Sequence, residues 1–292
     1  MGRGIALKAP AKLNLGLRVL GRRADGYHLL QSLVVFLDLA DEVTLAPALA
    51  WRLSLTGPFA AGLGAADNLA LRAGRTLARH ATEDLAGCAG LAADIVLAKH
   101  IPLAAGLGGG SADAAAVLRG LNELWRLHLP PQRLQEIAAR LGADVPMCLA
   151  GVPAMAGGIG ERIDPLPLPG LSLLLVNLGI PLATADVFAR LAPPYAEALT
   201  PPEALRDVAA VAAFARALGN GLTAPAVALC PMVSAVLADI AAVPDCLLAQ
   251  MSGSGTTCFG LFENDVAASA AAAHLRRARP SWFVRACRSA GG

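Results

Sequence analysis

The stretch His100–Trp125, HIPLAAGLGGGSADAAAVLRGLNELW, sets Gly106, Gly108, Gly109 and Gly110 directly before a helical pattern. From Ser111 onward, Ala115, Leu118, Leu121 and Trp125 fall on one helical face. Ahead of the loop, Asp94–Lys99 has the length and composition of a short strand. Strand, glycine loop and helix in succession make a phosphate cradle. Glycines free to take positive φ let successive N–H groups converge, and the helix start adds unpaired N–H groups at the positive end of its dipole. The loop contains no lysine, and the pattern G-x-x-x-x-G-K-[ST] is absent. A helix terminus offers about half an elementary charge. A nucleoside triphosphate carries several, so a loop of this kind positions phosphates without neutralising them. The balance calls for a divalent cation, Mg²⁺, and for a lysine from elsewhere in the chain.

Lysine is scarce: the 24 basic residues include only Lys8, Lys12 and Lys99. Lys12 lies in APAKLNLGL, where Leu13, Leu15 and Leu17 form an apolar stripe and Asn14 shares the lysine's face at i+2. That pattern suits a site, and it equally suits an edge strand facing water. Asp144 in LGADVP follows a helical segment and precedes a proline. It is placed either to cap a short helix, the simpler reading of the segment alone, or to serve as a general base beside a cation. MSGSGTTCFGLF is a second glycine turn, with hydroxyls at Ser252, Ser254, Thr256 and Thr257. Tyr27 is one of two tyrosines, and His28 adjoins it. An aromatic face and an imidazole can hold a nucleobase by stacking and edge hydrogen bonds, although a hairpin corner accounts for the pair as well.

Composition bounds the rest. The chain has 292 residues, 55% of them hydrophobic, which is enough for two modest domains or one large one. The net charge of +2 with 16% charged residues gives no long-range field for nucleic acid or a membrane surface. Arg276, Arg277, Arg279, Arg285 and Arg288 read as a solvated face. Six cysteines without C-x-x-C or zinc spacing indicate buried free thiols in a reducing compartment. The N-terminus lacks an apolar signal core. The uncharged stretches Pro165–Ala185 and Leu218–Ala238 are interrupted by prolines and do not read as membrane spans. A cytoplasmic protein is expected.

Along the chain, residues 4–20 read as strands around a break at Pro10, and QSLVVFLDLADEVTLAPA reads as a strand pair. Helices are expected over 68–80, from Ser111, and over 130–141 with Gly142 as its C-cap. Further ones are expected over 185–192, 202–218, 231–242 and 265–279. The texture changes near residue 160, where a boundary is placed between domains 1–160 and 161–292. Elements mix without regular βαβ alternation, so the fold class is α+β. A Rossmann site is disfavoured: Ser111 stands where the third glycine belongs, and Asp113 and Glu123 are misplaced for the ribose acid.

Four segments together, PAKLNLGLRVLGRRADGYHLLQSLVVFLDLAD, IPLAAGLGGGSADAAAVLRGLN, LGADVP and MSGSGTTCFGLF, resemble the GHMP kinase superfamily in order and content over about residues 5–262. The resemblance implies a two-domain α+β fold with ATP and substrate in the cleft between an N-terminal ATP-binding domain and a C-terminal substrate-side domain. It implies a small-molecule kinase that uses ATP and Mg²⁺ to phosphorylate an alcohol. The matched ATP loop comprises Pro102, Leu103, Ala104, Ala105, Gly106, Leu107, Gly108, Gly109, Gly110, Ser111 and Ala112, with Lys99 near the nucleotide. Lys12 and Asp144 match the catalytic pair. The block PAKLNLGL…DGYH separates the chain from mevalonate and homoserine kinases. It implies a cytidine diphosphate-linked methylerythritol as substrate, bound through Tyr27, His28 and Asn14, with Thr184 contributing a hydroxyl from the second domain. A monomer or weak homodimer is expected. The chain departs from the family pattern at Ala112, where a second serine is usual, at Gly221, where aspartate is common, and at Thr256, where alanine is common.

Overall fold

The computed structural model describes residues 4–64, 67–84 and 90–289. Strand β1 (Ile5–Arg22) runs unbroken through Pro10, contrary to the expected break. Its sheet partner is β2, and a strand with one sheet neighbour has a side on which no N–H donor is needed. The expected strand pair is likewise one strand of 21 residues, β2 (His28–Ala48). There follow β3 (Arg52–Thr56), α1 (Leu69–Asp84), β4 (Ala92–Ala98), α2 (Gly109–Leu124), α3 (Pro131–Ala139) and α4 (Val145–Ala150). Beyond them lie β5 (Ala154–Gly158), β6 (Arg162–Pro165), β7 (Ser172–Asn177), α5 (Thr184–Ala189), α6 (Val208–Leu218), α7 (Thr223–Leu229) and α8 (Met232–Ala241). The described chain closes with β8 (Leu248–Met251), β9 (Cys258–Phe262), α9 (Asp265–Ala278) and β10 (Phe283–Arg288).

The chain divides into two compact units. One gathers the residues up to Ala11, Leu39–Ile101 and Gly108–Gly151. The other gathers Lys12–Asp38, Pro102–Leu107 and the chain from Val152 on. This differs from a single boundary near residue 160, because β1 and β2 are each long enough to serve both units.

In the first unit, β4 pairs antiparallel with Glu42–Ala48 of β2 and parallel with β3. Helix α2 buries Ala112, Ala114–Leu118 and Leu121. It approaches the strands so closely at Gly120 that a Cβ there would lie 2.4 Å from Leu45 Cδ1 and 2.7 Å from Leu7 Cδ1. Trp51 and Trp125 meet edge to face at 5.9 Å. In the second unit, β5 joins Leu30–Val34 of β2 to β6, and a separate antiparallel sheet has the order β10-β7-β9-β8. Every residue of β7 and β9 is buried. Val236, Ile240, Ala268, Ala271 and Leu275 from α8 and α9 cover that sheet.

Local chemistry explains the remaining differences. Helix α3 ends at Ala139 with Arg140, not Gly142, at its C-cap. Helix α6 starts at Val208 rather than 202, because the Asp207 side chain accepts from Ala210 N–H and fixes the N-cap. Among the described residues Cys148, Cys230, Cys246, Cys258 and Cys287 are in no disulfide, and Cys88 lies outside the described residues. Among the described residues no helix is long and apolar enough to cross a membrane.

Candidate active site

The glycine loop joins β4 to α2 as expected, and its backbone is the one a cradle needs. Ala104, Gly106 and Gly108 all take positive φ. Gly108 is the N-cap of α2 in the left-handed region, and no side chain caps the helix. The N–H groups of its first turn are therefore left to a ligand or solvent. A Cβ added at Gly110 would meet nothing within 4 Å, whereas one at Gly106 would lie 2.8 Å from the Ser252 carbonyl and 2.9 Å from that of Gly255. Gly110 thus lines open space, and Gly106 is wedged against the second glycine turn.

That turn buttresses the loop. Ser252 Oγ accepts from Asn14 N–H at 3.0 Å and donates to the Gly106 carbonyl at 3.4 Å. Thr257 N–H donates to the Ala105 carbonyl, and Lys12 N–H donates to that of Leu107 at 2.9 Å. Asn220 supports the turn from behind, its amide donating to the carbonyls of Met251 and Gly253. Thr256, one of the departures from the family pattern, is fully buried. Its hydroxyl donates to the Ile180 carbonyl and accepts from Asn177.

Lys12 and Asn14 do not face water. Lys12 is 7% exposed and Asn14 4%. The Lys12 ammonium donates to Asn14 Oδ1 at 2.8 Å, Asn14 Nδ2 donates to Ser32 Oγ at 2.7 Å, and Ser32 Oγ donates to the Gly16 carbonyl. Burying an ammonium is costly unless it is paired and hydrogen-bonded. Asp144 stands at the N-cap position of α4, yet its side chain makes no capping bond. The capping role, the simpler expectation for this residue, is not the one its carboxylate performs.

Lys99 is directed inward. Its ammonium bonds the carboxylates of Asp41 and, at 2.6 Å, Asp113. Asp41 Oδ1 also accepts from the N–H groups of His100, at 2.5 Å, and Ile101, at 2.9 Å. The triad therefore ties the end of β4 and the root of the loop to the first turns of α2. Two carboxylates share one ammonium, and among the described residues Asp113 Oδ1 has no hydrogen-bond partner. Burial raises the Asp113 carboxyl to about 7, against the pull of Lys99 and with the push of Asp41. The folded protein thus holds a proton that the unfolded chain releases near pH 3.8. Stability from this group is complete below that pH and is lost as pH rises to about 7, at up to about 1.4 kcal/mol per unit. In urea unfolding between pH 5 and 8, Asp113→Asn is expected to flatten the decline that the parent protein shows.

His28 opens β2 and is walled by Phe188, with centroids 5.1 Å apart, and by Tyr195 at 6.1 Å, edge-on. Tyr27 is 58% exposed, and its N–H donates to Asp25 Oδ1 in the turn. The rings against His28 are thus not its sequence neighbour. Burial and then Arg22 lower the His28 pKa, leaving the imidazole neutral at pH 7, with one donor and one acceptor nitrogen. Thr184 Oγ1 lies 2.9 Å from Ser254 Oγ.

Asp41, Asp113, Phe188 and Tyr195 are absent from the expected set. Tyr195 carried a signal, being the second of only two tyrosines. A lysine directly after the apolar run Ile95–Ala98 also signals that a counter-charge is needed if it is buried.

Residues 68–152 match the GHMP kinases N terminal domain, and residues 203–280 match the GHMP kinases C terminal model. The 4-diphosphocytidyl-2-C-methyl-D-erythritol kinase of Paramagnetospirillum magneticum is 48% identical, with 96% of each chain covered. That of Paracoccus denitrificans is 50% identical over 95% of this chain and 94% of its own. A crystal structure of 4-(cytidine 5'-diphospho)-2C-methyl-D-erythritol kinase superposes with a TM-score of 0.81 at 36% identity, covering 99% of this chain and 100% of that one. A homoserine kinase structure from Cytophaga hutchinsonii shares the fold at 20% identity, with a TM-score of 0.72 over 100% of this chain and 96% of that one. The chain belongs to the 4-diphosphocytidyl-2-C-methyl-D-erythritol kinase family of the GHMP kinases.

Proposed function

We propose that this protein transfers the γ-phosphoryl group of ATP to the 2-hydroxyl of 4-diphosphocytidyl-2-C-methyl-D-erythritol, a step of the non-mevalonate isoprenoid pathway. The observation that carries this reading is the uncapped, lysine-free glycine loop, locked by Ser252, together with the buried Lys12 whose backbone bonds it. Residues 102–112 hold the phosphates through backbone N–H groups. Lys99 acts by anchoring the loop through Asp41. Asp144 accepts the proton of the 2-hydroxyl as its oxygen bonds to the γ-phosphorus and the bond to the β–γ bridging oxygen breaks, releasing ADP. Lys12 favours the ionised form of Asp144 and offsets charge on the transferring group. His28 and Tyr27 bind the cytosine of the substrate away from the chemistry, while Asn14, bonded to Lys12, and Thr184 make its further contacts. That remote binding aligns the alcohol for in-line attack.

The residues present fit Mg²⁺ carried in with the nucleotide. Among the described residues no three His, Cys, Asp or Glu side chains converge into a cage. Mg²⁺ needs none, since phosphate oxygens and waters with at most one or two carboxylates complete its shell, and the backbone cradle of residues 102–112 would hold the phosphates that carry it. When bound, the ion neutralises phosphate charge. The enzyme is proposed to act in the cytoplasm as a monomer or weak homodimer.

ADP release, measured with the cytidylyl substrate, with mevalonate, with homoserine and with no acceptor, tests the assignment. Turnover is expected with the first alone. Equal ADP release without it, or ATP binding with no turnover at all, would overturn the assignment. His28→Ala is expected to raise KM for the cytidylyl substrate about tenfold, the loss of a hydrogen bond and a ring contact, and to leave KM for ATP in place.

A further inference from the structure

Residues 190–207 connect α5 to α6 without regular structure. Connections of that length in compact units are uncommon and are usually either functional or plain linkers. This one is pinned over a short reach. Ala196 N–H donates to the Val19 carbonyl at 3.0 Å, and Arg18 Nη1 donates to the Glu197 carbonyl at 2.7 Å. The Gln31 amide brackets Leu199, donating to its carbonyl at 2.6 Å and accepting from its N–H at 2.8 Å. The other arm of Arg18 donates to the Ala217 carbonyl at 2.7 Å, tying the end of α6 to the same guanidinium. All these anchors come from β1 and β2, the strands that also bear Asn14 and His28. Immediately before the pinned stretch stands Tyr195. It packs on the core cluster of Leu17 and Val19 and meets His28 edge-on, at an interplanar angle of 68°.

We propose that residues 195–199 form a specificity strap for the pyrimidine-nucleotide end of the substrate. Tyr195 fixes the plane of the His28 imidazole, and Gln31 and Arg18 are positioning residues that hold the strap in register. This deepens the assignment of His28 to the base and rests on it. An edge-to-face ring pair restrains the imidazole at little entropic cost, because the strap's own hydrogen bonds hold the ring in place. Neither Gln31 nor Arg18 needs to touch substrate for its loss to be felt there.

Steady-state kinetics of Tyr195→Leu, Tyr195→Phe, Gln31→Ala and His28→Ala test the proposal, with KM determined separately for the cytidylyl substrate and for ATP. Tyr195→Leu is expected to raise KM for the cytidylyl substrate about fivefold to tenfold, the size of one aromatic pair. Tyr195→Phe retains the ring and stays within about twofold. Gln31→Ala raises the same KM at least about threefold, and KM for ATP holds in each variant. Should Gln31→Ala fail to fold, Gln31→Glu, which keeps the acceptor for Leu199 N–H, is read in the same way. If His28→Ala raises the substrate KM and the Tyr195 and Gln31 variants do not, or if they raise both KM values alike, the strap is overturned and the base assignment stands. If His28→Ala leaves the substrate KM unchanged, the base assignment falls and the strap with it.

Discussion

Asp144→Asn is expected to lower turnover at least a hundredfold while ATP binding persists. The change removes one ionisable oxygen and almost no volume. Because the Asp144 side chain makes no capping bond to α4, the substitution breaks no capping hydrogen bond. What disappears, on the proposed mechanism, is the acceptor for the hydroxyl proton, and a positioned base contributes roughly 10²–10⁴-fold. The measurement is a single-turnover experiment with labelled ATP, beside equilibrium binding of a non-hydrolysable ATP analogue. Near-normal phosphoryl transfer would remove Asp144 as the base. Weakened analogue binding with normal transfer would make it a ligand-holding residue instead.

Lys12→Met is expected to lower kcat roughly 10²–10³-fold, the cost of deleting one preorganised cationic donor at developing charge, and to raise KM for ATP far less. Methionine keeps the apolar stem in a position that is 7% exposed, so folding is expected to survive. Asn14 Oδ1 loses the ammonium it accepts from, but Asn14 keeps its bond to Ser32 and its backbone bond to Ser252. A thermal-unfolding scan alongside the kinetics separates loss of chemistry from loss of fold. A rise confined to KM for ATP would make Lys12 a binding residue only.

Much of this was legible in the sequence, for physical reasons that differ from one element to the next. The glycine loop and α2 were readable because positive-φ glycines and a helical apolar face leave local marks, although the helix takes in Gly109 and Gly110 and so begins two residues ahead of the expected Ser111. The α+β class followed from the absence of regular βαβ alternation. The burial of Lys12 and Asn14 was not decidable locally. Alternation gives the face of a strand, but both faces of β1 are buried from Ala11 to Leu17, and only tertiary packing determines that. The continuity of β1 through Pro10 depends on which edge of the strand needs donors, which the sequence does not state. Lys99 was legible as unusual, but its partners lie 58 and 14 positions away and look like ordinary surface acids in a linear reading. The rings against His28 come from residues 188 and 195, so sequence adjacency pointed to Tyr27 instead. The role of the second glycine turn needed the contact between Ser252 and Gly106, a long-range pair that no local pattern encodes.

The most direct test of the central claim, that Lys12 and Asp144 act as one catalytic unit, is a double-mutant cycle on the phosphoryl-transfer step with Lys12→Met and Asp144→Asn. Residues that act as a unit are strongly non-additive, so the double variant is predicted to be little slower than the worse single variant. A double variant slowed by the full product of the two single effects would contradict the account, because it would mean that the ammonium and the carboxylate work independently.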